Sequence, residues 1–300
     1  MKILLTGSGG FAGNFFKDFL KQKKVNFYTL GINDSPNENH LKISPSLNFE
    51  EIKKAILDSS PDYIFHLAGS PIEGEENSVN DLNFKYAKNL ILSSKKLNKE
   101  VKIILIGSSA EYGNIALKDL PIKETLKPNP FTPYGIAKLK QSEFALENHS
   151  SSCKILILRP FNLFGPGMPD FLALGNFANQ IIELRKSLNK SKNFILKTGN
   201  INVSRDYLFI KDFIEIMWLL SQDNKNYGQI FNVCSGEKKN LKEILNKMII
   251  NSGLKIELIQ ESSRLRKNEI IDHFGCNKKM ISSIGNFNFT NFEKSLKSLI

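Results

Sequence analysis

Short apolar runs alternate with helical spacing through the first half of the chain. Residues 3–6 are apolar or β-tolerant and end at Gly7, after which Phe15, Phe16, Phe19 and Leu20 recur at helical spacing. The same alternation predicts strands at 25–31, 61–69, 101–107 and 153–158, and helices at 49–57, 79–98 and from Tyr134 onward. Residues 33–48 and 120–133 are predicted loops, the first around at most a short strand. Strands alternating with helices of this length predict an α/β fold with a doubly wound parallel sheet.

Length and charge exclude several classes of protein. The 300 residues suffice for one large domain, or for a nucleotide-binding domain and a smaller one. No apolar run of about 18 residues occurs, so no membrane partner is expected. The chain enters the first predicted strand directly, so a signal peptide would include the glycine turn, and we predict a cytoplasmic protein.

The formal net charge of +11 comes from lysines spread along the chain. This distribution is typical of solvated helix faces. A weaker functional interpretation is that the positive potential attracts a polyanionic cofactor and substrate. No motif points to a nucleic-acid partner.

Cysteine and histidine indicate neither a disulfide nor a metal site. Cys153, Cys234 and Cys276 are far apart, and the four histidines form no cluster with ligand spacing. His66 lies inside a predicted strand, where a single histidine is more often a packed core residue than a catalytic acid or base. We predict the packed residue.

Three glycines follow the first predicted strand and open the first predicted helix. In this context Gly7 permits the turn, Gly10 lets a diphosphate approach the backbone, and Gly13 lets helix and strand pack closely. The N–H groups at the helix start, beginning at Phe11, favour a bound anion. Leu67, Ala68 and Gly69 end a later strand and would let the cofactor lie against the backbone. The predicted cofactor is therefore a dinucleotide.

The choice between NAD and NADP stays open. NAD sites place an acid at the end of the second strand, whereas NADP sites replace it with a cation. Gly31 occupies that place, and Asp34 lies three residues later.

Candidate catalytic residues come after the predicted strand at 101–107. Ser108 stands where ligands bind in such sheets, and Tyr134 and Lys138 are spaced to share one helical face. A phenol has a pKa of about 10, so acid–base work near pH 7 requires a shift of about 3 units, roughly 4 kcal/mol. A nearby ammonium and an oxidised nicotinamide both favour phenolate.

The glycine turn, the serine and the Tyr-Lys pair together resemble the extended short-chain dehydrogenase/reductases, the NAD-dependent epimerase/dehydratase family. The resemblance implies that Tyr134 is the general acid/base and that Lys138 binds the nicotinamide ribose and lowers the pKa of Tyr134. It also implies that a serine four residues before Tyr112 hydrogen-bonds the sugar hydroxyl or carbonyl. That serine is Ser108, with Ser109 as the alternate.

The C-terminal half is similar to the GDP-4-dehydro-6-deoxy-D-mannose reductases of that family. The matching blocks are RPFNLFGPG from position 159, SRDY from 204, FNVCSG from 231 and RLRKNE from 264. The resemblance implies substrate-binding roles for Ser109, Glu111, Asn162, Arg205, Arg266 and Glu269. A planar guanidinium also matches a diphosphate better than an ammonium does.

One position disfavours dehydratase chemistry. Dehydratases of the family need an acid and a base two and three residues before Tyr112, where this chain has Ala110 and Ser109. Glu111 is displaced by one residue.

The resemblance therefore implies NAD(P)H-dependent reduction of the C4 keto group of a nucleotide-linked 4-keto-6-deoxyhexose. The favoured reaction is GDP-4-dehydro-6-deoxy-D-mannose to GDP-D-rhamnose. A 4-epimerase with tightly held NAD is the first alternative, and a non-catalytic nucleotide-binding redox sensor is the last. A homodimer is expected from the family.

We predict that residues 1–165, with a return segment at about 201–234, form the NAD(P)-binding Rossmann domain. Residues 166–300 should mainly form a smaller α/β lobe that binds the nucleotide sugar.

Overall fold

A computed structural model describes residues 1–35, 39–70, 79–186, 194–265 and 268–300. A parallel sheet runs through its centre, and among these residues it has seven strands in the order β11-β6-β5-β4-β1-β2-β3. Every neighbouring pair is parallel. The strands are β1 (Ile3–Thr6), β2 (Phe27–Gly31), β3 (His40–Lys42), β4 (Tyr63–His66), β5 (Val101–Ile106), β6 (Cys153–Pro160) and β11 (Ile230–Val233). The predicted fold class, an α/β Rossmann sheet, is confirmed.

Helices cover both faces of this sheet. They are α1 (Phe11–Gln22), α2 (Phe49–Ser59), α3 (Tyr86–Ser94), α4 (Pro133–Glu147), α5 (Ala173–Lys186), α6 (Ile210–Gln222), α7 (Leu241–Ser252), α8 (Lys278–Ile284) and α9 (Phe292–Lys297). Successive strand residues point to opposite faces. Ile3 and Leu5 therefore join the core beneath α1 and α6, whereas Leu4 joins the core beneath α2 and α3.

Shorter strands build the region beyond the sheet. They are β7 (Asn162–Phe164), β8 (Phe194–Thr198), β9 (Ser204–Arg205), β10 (Tyr207–Phe209), β12 (Lys239–Asn240), β13 (Ile256–Gln260) and β14 (Asp272–His273). They pair as β10-β7, β12-β9-β14 and β13-β8. The block SRDY from 204 thus belongs to two strands, β9 and β10, which are separated at Asp206. No helix in the described ranges is long and apolar enough to cross a membrane.

The helix predicted over 79–98 has an interruption. A π-helical turn at Asp81–Lys85 precedes α3, which ends at Ser94. Such turns are common at functional sites and insert an extra residue into the helix. Periodicity alone cannot show that insertion, because a polar residue such as Asn83 on an apolar face does not by itself indicate an extra residue in the helix.

The first turn depends on close backbone packing. Gly7 has φ +70°, and a side chain there would meet the Ala68 nitrogen at 2.5 Å. A Cβ at Gly13 would collide with the carbonyl oxygen of Gly7. Strand, turn and helix can therefore pack at this distance only because Gly7 and Gly13 lack side chains.

Replacement of Gly13 by Ala should destabilise the protein by about 1–3 kcal/mol, because backbone atoms must move to admit the methyl group. Urea unfolding of the cofactor-free protein measures this free energy. Gly9→Ala is the matched control, since no atom of the described chain lies within 4 Å of a Cβ at that position. Equal stability of the two variants would contradict the packing argument.

Candidate active site

The glycine turn leaves a helix N-terminus open to a ligand. Gly10 precedes α1 in an extended conformation, and its amide donates to the Gly7 carbonyl at 3.0 Å. The first turn of α1, residues 11–14, is uncharged. No acidic side chain of this first turn therefore competes there with a bound diphosphate. The residues present fit a dinucleotide.

The carboxyl end of β4 forms the next part of the site. A Cβ at Gly69 would lie 2.7 Å from Asn83 Oδ1 and 3.1 Å from Lys138 Nζ. Only a glycine leaves room here for both side chains. The structure thus brings the predicted residues Leu67, Ala68 and Gly69 beside the glycine turn and Lys138.

Lys138 lies between the ends of β4 and β5 and is 2% exposed. Its ammonium donates to the Ile106 carbonyl oxygen at 2.8 Å and to Gln141 Oε1 at 3.1 Å. Burial lowers the pKa of Lys138 to about 8, although the nearby Glu111 carboxylate acts in the opposite direction. The amine is therefore fixed in place and close to its titration range at physiological pH.

Tyr134 is on the first turn of α4. Thr132 caps this helix by accepting from the Gly135 amide at 3.1 Å, and Pro133 is its first residue. Burial raises the pKa of Tyr134 to about 12. A side-chain hydrogen bond with Ser108 lowers this pKa, and the nearby Glu111 raises it. Burial therefore outweighs the hydrogen bond with Ser108 in setting this pKa, and the lowering by Lys138 that the resemblance implied stays a prediction.

Ser108 follows β5 and caps a short 3₁₀ turn. Its hydroxyl accepts from the Ala110 amide at 3.1 Å, and its interaction with Tyr134 joins the two predicted catalytic groups. Ser109, the alternate serine, is buried in the same turn. The hydroxyl of Ser108 is therefore the better placed of the two to meet a substrate oxygen beside Tyr134.

Glu111 does not reach the surface of the site. Its side chain is completely buried, and its carboxylate pairs with Arg159 and with the Ser108 amide. Placed so, it contacts protein groups and not an open cavity.

Of the residues predicted to bind the nucleotide sugar, Asn162 lies on β7 and Arg205 on β9, and Glu269 precedes β14. Arg205 pairs with Glu269 at 3.1 Å, and both side chains are partly exposed. Asn162 Nδ2 donates to the Asp206 carbonyl oxygen at 2.9 Å. Arg266 is outside the described residues. The structure thus brings Arg205 and Glu269 together, but it says nothing of Arg266.

Two further polar residues were not predicted. Asn83, in the π-helical turn, is completely buried and hydrogen-bonds both the amide and the carbonyl of Ser70, at 3.1 and 3.0 Å. Gln141 accepts from Lys138. The signal for Asn83 was available, because the residue interrupts an apolar helical face that includes Val79 and Tyr86. Gln141 follows Lys138 by three residues on the same face.

His66 is a packed residue, as predicted. It is completely buried, and its Nδ1 lies 2.8 Å from Thr6 Oγ1. Burial lowers its pKa to about 3, so the ring stays neutral at physiological pH.

The sheet, the glycine turn and the Ser-Tyr-Lys group define an NAD(P)-binding enzyme of the extended short-chain dehydrogenase/reductase class. A family model, the NAD dependent epimerase/dehydratase family, matches residues 3–234, and the chain belongs to that family. NAD or NADP, the predicted cofactor, is confirmed at this level.

Similar proteins include a GDP-6-deoxy-D-mannose reductase of Pseudomonas aeruginosa, 27% identical across 89% of this chain and 86% of the relative. A GDP-6-deoxy-D-talose 4-dehydrogenase of Aggregatibacter actinomycetemcomitans is 25% identical across 100% of this chain and 97% of the relative. The structure of RMD from Pseudomonas aeruginosa complexed with NADPH covers 99% of this chain and 97% of its own, with a TM-score of 0.85 and 24% identity. The family and its relatives indicate an enzyme of the oxidoreductase or epimerase type.

Replacement of Lys138 by Met should stabilise the cofactor-free protein near neutral pH. Its pKa falls from 10.5 to about 8 on folding, so holding the charged amine costs the folded state about 3 kcal/mol. The unfolded chain keeps the ordinary pKa. The cost is therefore fully present below pH 8 and disappears as the pH rises towards 10.5.

Urea unfolding of wild type and variant at pH 7 and pH 10 measures the difference. The Ile106 carbonyl keeps its bond from Gln141 Nε2 at 3.2 Å in the variant. Lys140→Met, at an exposed position of the same helix, is the control and should show no pH-dependent gain. A gain from Lys138→Met that is equal at both pH values would contradict the assignment.

Proposed function

We propose that the protein reduces the C4 keto group of a nucleotide-linked 4-keto-6-deoxyhexose with NAD(P)H. The favoured reaction is GDP-4-dehydro-6-deoxy-D-mannose to GDP-D-rhamnose. The observation that supports it most is the convergence of Ser108, Tyr134 and Lys138 beside the glycine turn, at the carboxyl ends of β4 and β5.

The phenol of Tyr134 donates the proton to the oxygen that becomes the C4 hydroxyl. Its raised pKa keeps it protonated at neutral pH, which suits the role of an acid. Ser108 donates a hydrogen bond to the same oxygen and orients it. The cofactor, when bound, supplies the hydride.

Lys138 holds the ribose of the nicotinamide. Its ammonium has two protein acceptors, the Ile106 carbonyl and Gln141 Oε1, and a third proton remains for a ligand oxygen. A Cβ at Gly69 would lie 3.1 Å from Lys138 Nζ, so the glycine keeps side-chain atoms off that side of the buried ammonium, and the ribose hydroxyl is assigned to it.

The nucleotide sugar is held by the shorter strands. Asn162, Arg205 and Glu269 are assigned to its diphosphate and ribose, and Arg266 is assigned with them on the sequence resemblance. Two of the similar proteins are named for chemistry on GDP-linked 6-deoxyhexoses, which supports a GDP-linked substrate. A homodimer, a cytoplasmic location and the division into two lobes stay predictions.

We propose NADPH as the preferred cofactor. Gly31 provides no carboxylate at the end of β2, and Lys42 lies opposite it in the parallel pairing of β2 with β3. The Lys42 ammonium is 2.8 Å from Asp34 Oδ1, on the exposed surface. A 2′-phosphate of the cofactor near Gly31 would thus lie close to the Lys42 ammonium and would meet no carboxylate from β2.

The purified protein should oxidise NADPH stoichiometrically when given GDP-4-keto-6-deoxymannose made in situ by a dehydratase, and a new 6-deoxyhexose should appear. Tyr134→Phe should lower kcat by about 10²–10⁴-fold, because it removes the proton donor. Cofactor affinity, measured by fluorescence titration, should stay nearly unchanged.

Tyr63→Phe is the matched control, since Tyr63 is the first residue of β4 and lies at the end of that strand opposite the site. Undiminished turnover by Tyr134→Phe would overturn the mechanism. Interconversion of intact nucleotide hexoses without net cofactor oxidation would show the alternative, a 4-epimerase. Cofactor binding without turnover of any nucleotide sugar would leave the non-catalytic binder.

Gly31→Asp should shift the preference from NADPH towards NADH. The nearest described atom to a Cβ at Gly31 is His40 Cε1 at 3.7 Å, so the new side chain fits. Its carboxylate accepts from a ribose 2′-hydroxyl and repels a 2′-phosphate. The ratio of kcat/KM for the two cofactors measures the shift, with Gly9→Ala as control. An unchanged ratio would refute the placement of the 2′-phosphate.

A further inference from the structure

The carboxylate of Glu111 lies beneath the turn that carries Ser108, and its two oxygens bind two different groups. Glu111 Oε1 accepts from the Ser108 amide at 2.9 Å. Glu111 Oε2 accepts from Arg159 Nε at 2.8 Å and lies 2.7 Å from Arg159 Nη2. The turn that presents the Ser108 hydroxyl is therefore bound at its first amide to a side chain three residues later.

Arg159 is in turn fixed by its neighbours. It is on β6, its guanidinium lies 4.8 Å from the centre of the Tyr112 ring, and it is 2% exposed. The Tyr112 hydroxyl donates to Asn232 Oδ1 on β11 at 2.7 Å. These contacts connect the turn after β5 to β6 and β11.

Stability alone does not account for this pair. Removing two charges from water costs about as much as their attraction returns, and apolar replacements of buried pairs are often neutral or stabilising. The pair also takes up space that a side chain at Gly107 would need, since a Cβ there would collide with Glu111 Oε1. The Glu111–Arg159 pair therefore has an effect besides stability.

We propose that Glu111 is a positioning residue: held by Arg159, it fixes Ser108 towards the substrate oxygen and supplies the negative charge beneath Tyr134 and Lys138. This inference rests on the proposed function of those three residues. It differs from the substrate-binding role that the sequence resemblance implied for Glu111.

The charge of Glu111 acts on both proton-handling groups. It raises the pKa of Tyr134, which burial also raises. It raises the pKa of Lys138 as well, against the larger lowering by burial. The charged or titratable groups that face Glu111 are Arg159 from β6, Tyr112 from its own turn, and Tyr134 and Lys138 from α4. Loss of the carboxylate charge therefore lowers both of these pKa values.

Glu111→Gln tests the proposal, because the amide keeps the shape and one oxygen for the Ser108 amide while the charge is removed. We expect kcat to fall about tenfold or more, with KM for NADPH unchanged. We also expect the alkaline limb of the kcat profile to move to lower pH. A role confined to folding would lower the melting temperature without moving that limb.

A second variant keeps the test independent of folding. Glu111→Leu combined with Arg159→Met replaces the pair with apolar side chains and should leave the melting temperature equal or higher. Its kcat should still fall, and its alkaline limb should still move. A folded double variant with wild-type kcat and a wild-type pH profile would overturn the proposal, whatever Glu111→Gln does.

The control is an ion pair at the opposite ends of the same two strands. Glu100, just before β5, pairs with Lys154 on β6 at 2.8 Å and is exposed to solvent. Glu100→Gln should leave both kcat and the pH profile unchanged. Activity in Tyr134→Phe would show failure of the proposed function itself, whereas this inference alone fails if Tyr134→Phe is inactive and the folded double variant matches wild type.

Discussion

The site depends on keeping a protonated amine almost out of water at the edge of a parallel sheet. Lys138 is 2% exposed, and an ammonium is strongly hydrated, so the protein must replace its water with fixed acceptors. The Ile106 carbonyl is available because β5 ends there, and Gln141 is available because a helix places residues three apart on one face. Strand ends and helix geometry together make the burial possible.

The glycines follow from that requirement. A helix can bring Lys138 to the sheet edge only if the backbone there has no side chain in the way, and Gly69 meets this condition. The glycine turn applies the same rule to the dinucleotide, since Gly7 and Gly13 let β1, α1 and the end of β4 approach to backbone contact. Close approach of main chains therefore builds both halves of the site, and the polar side chains are placed upon it.

Hydrophobic period and glycine spacing were sufficient to predict the strands and the glycine turn, because each depends on residues close together in the chain. The roles of Ser108, Tyr134 and Lys138 came from the family resemblance and stay predictions. The interruption at Asp206 and the burial of Glu111 could not be predicted. Both depend on partners far away in sequence, Ser235 for Asp206 and Arg159 for Glu111. The effect of burial on the pKa of Tyr134 is not readable from the sequence for a related reason: burial is a property of the assembled site, whereas the neighbouring lysine is visible in the sequence.

Two buried carboxylates, Glu111 and Asp206, each hold a loop at the carboxyl end of a parallel strand. Glu111 accepts from the amide that begins the turn after β5, and Asp206 accepts from the amides of Ser235 and Gly236 after β11, at 2.8 and 2.9 Å. Each accepts from main-chain amides of its loop, and Asp206 also accepts from the Ser235 hydroxyl at 2.8 Å. Asp206 separates β9 from β10, and Arg205, the residue before it, pairs with Glu269 at 3.1 Å. Burial raises the pKa of Asp206 to about 6 while the loop amides lower it, so ionisation of this carboxyl and the order of the loop stabilise each other.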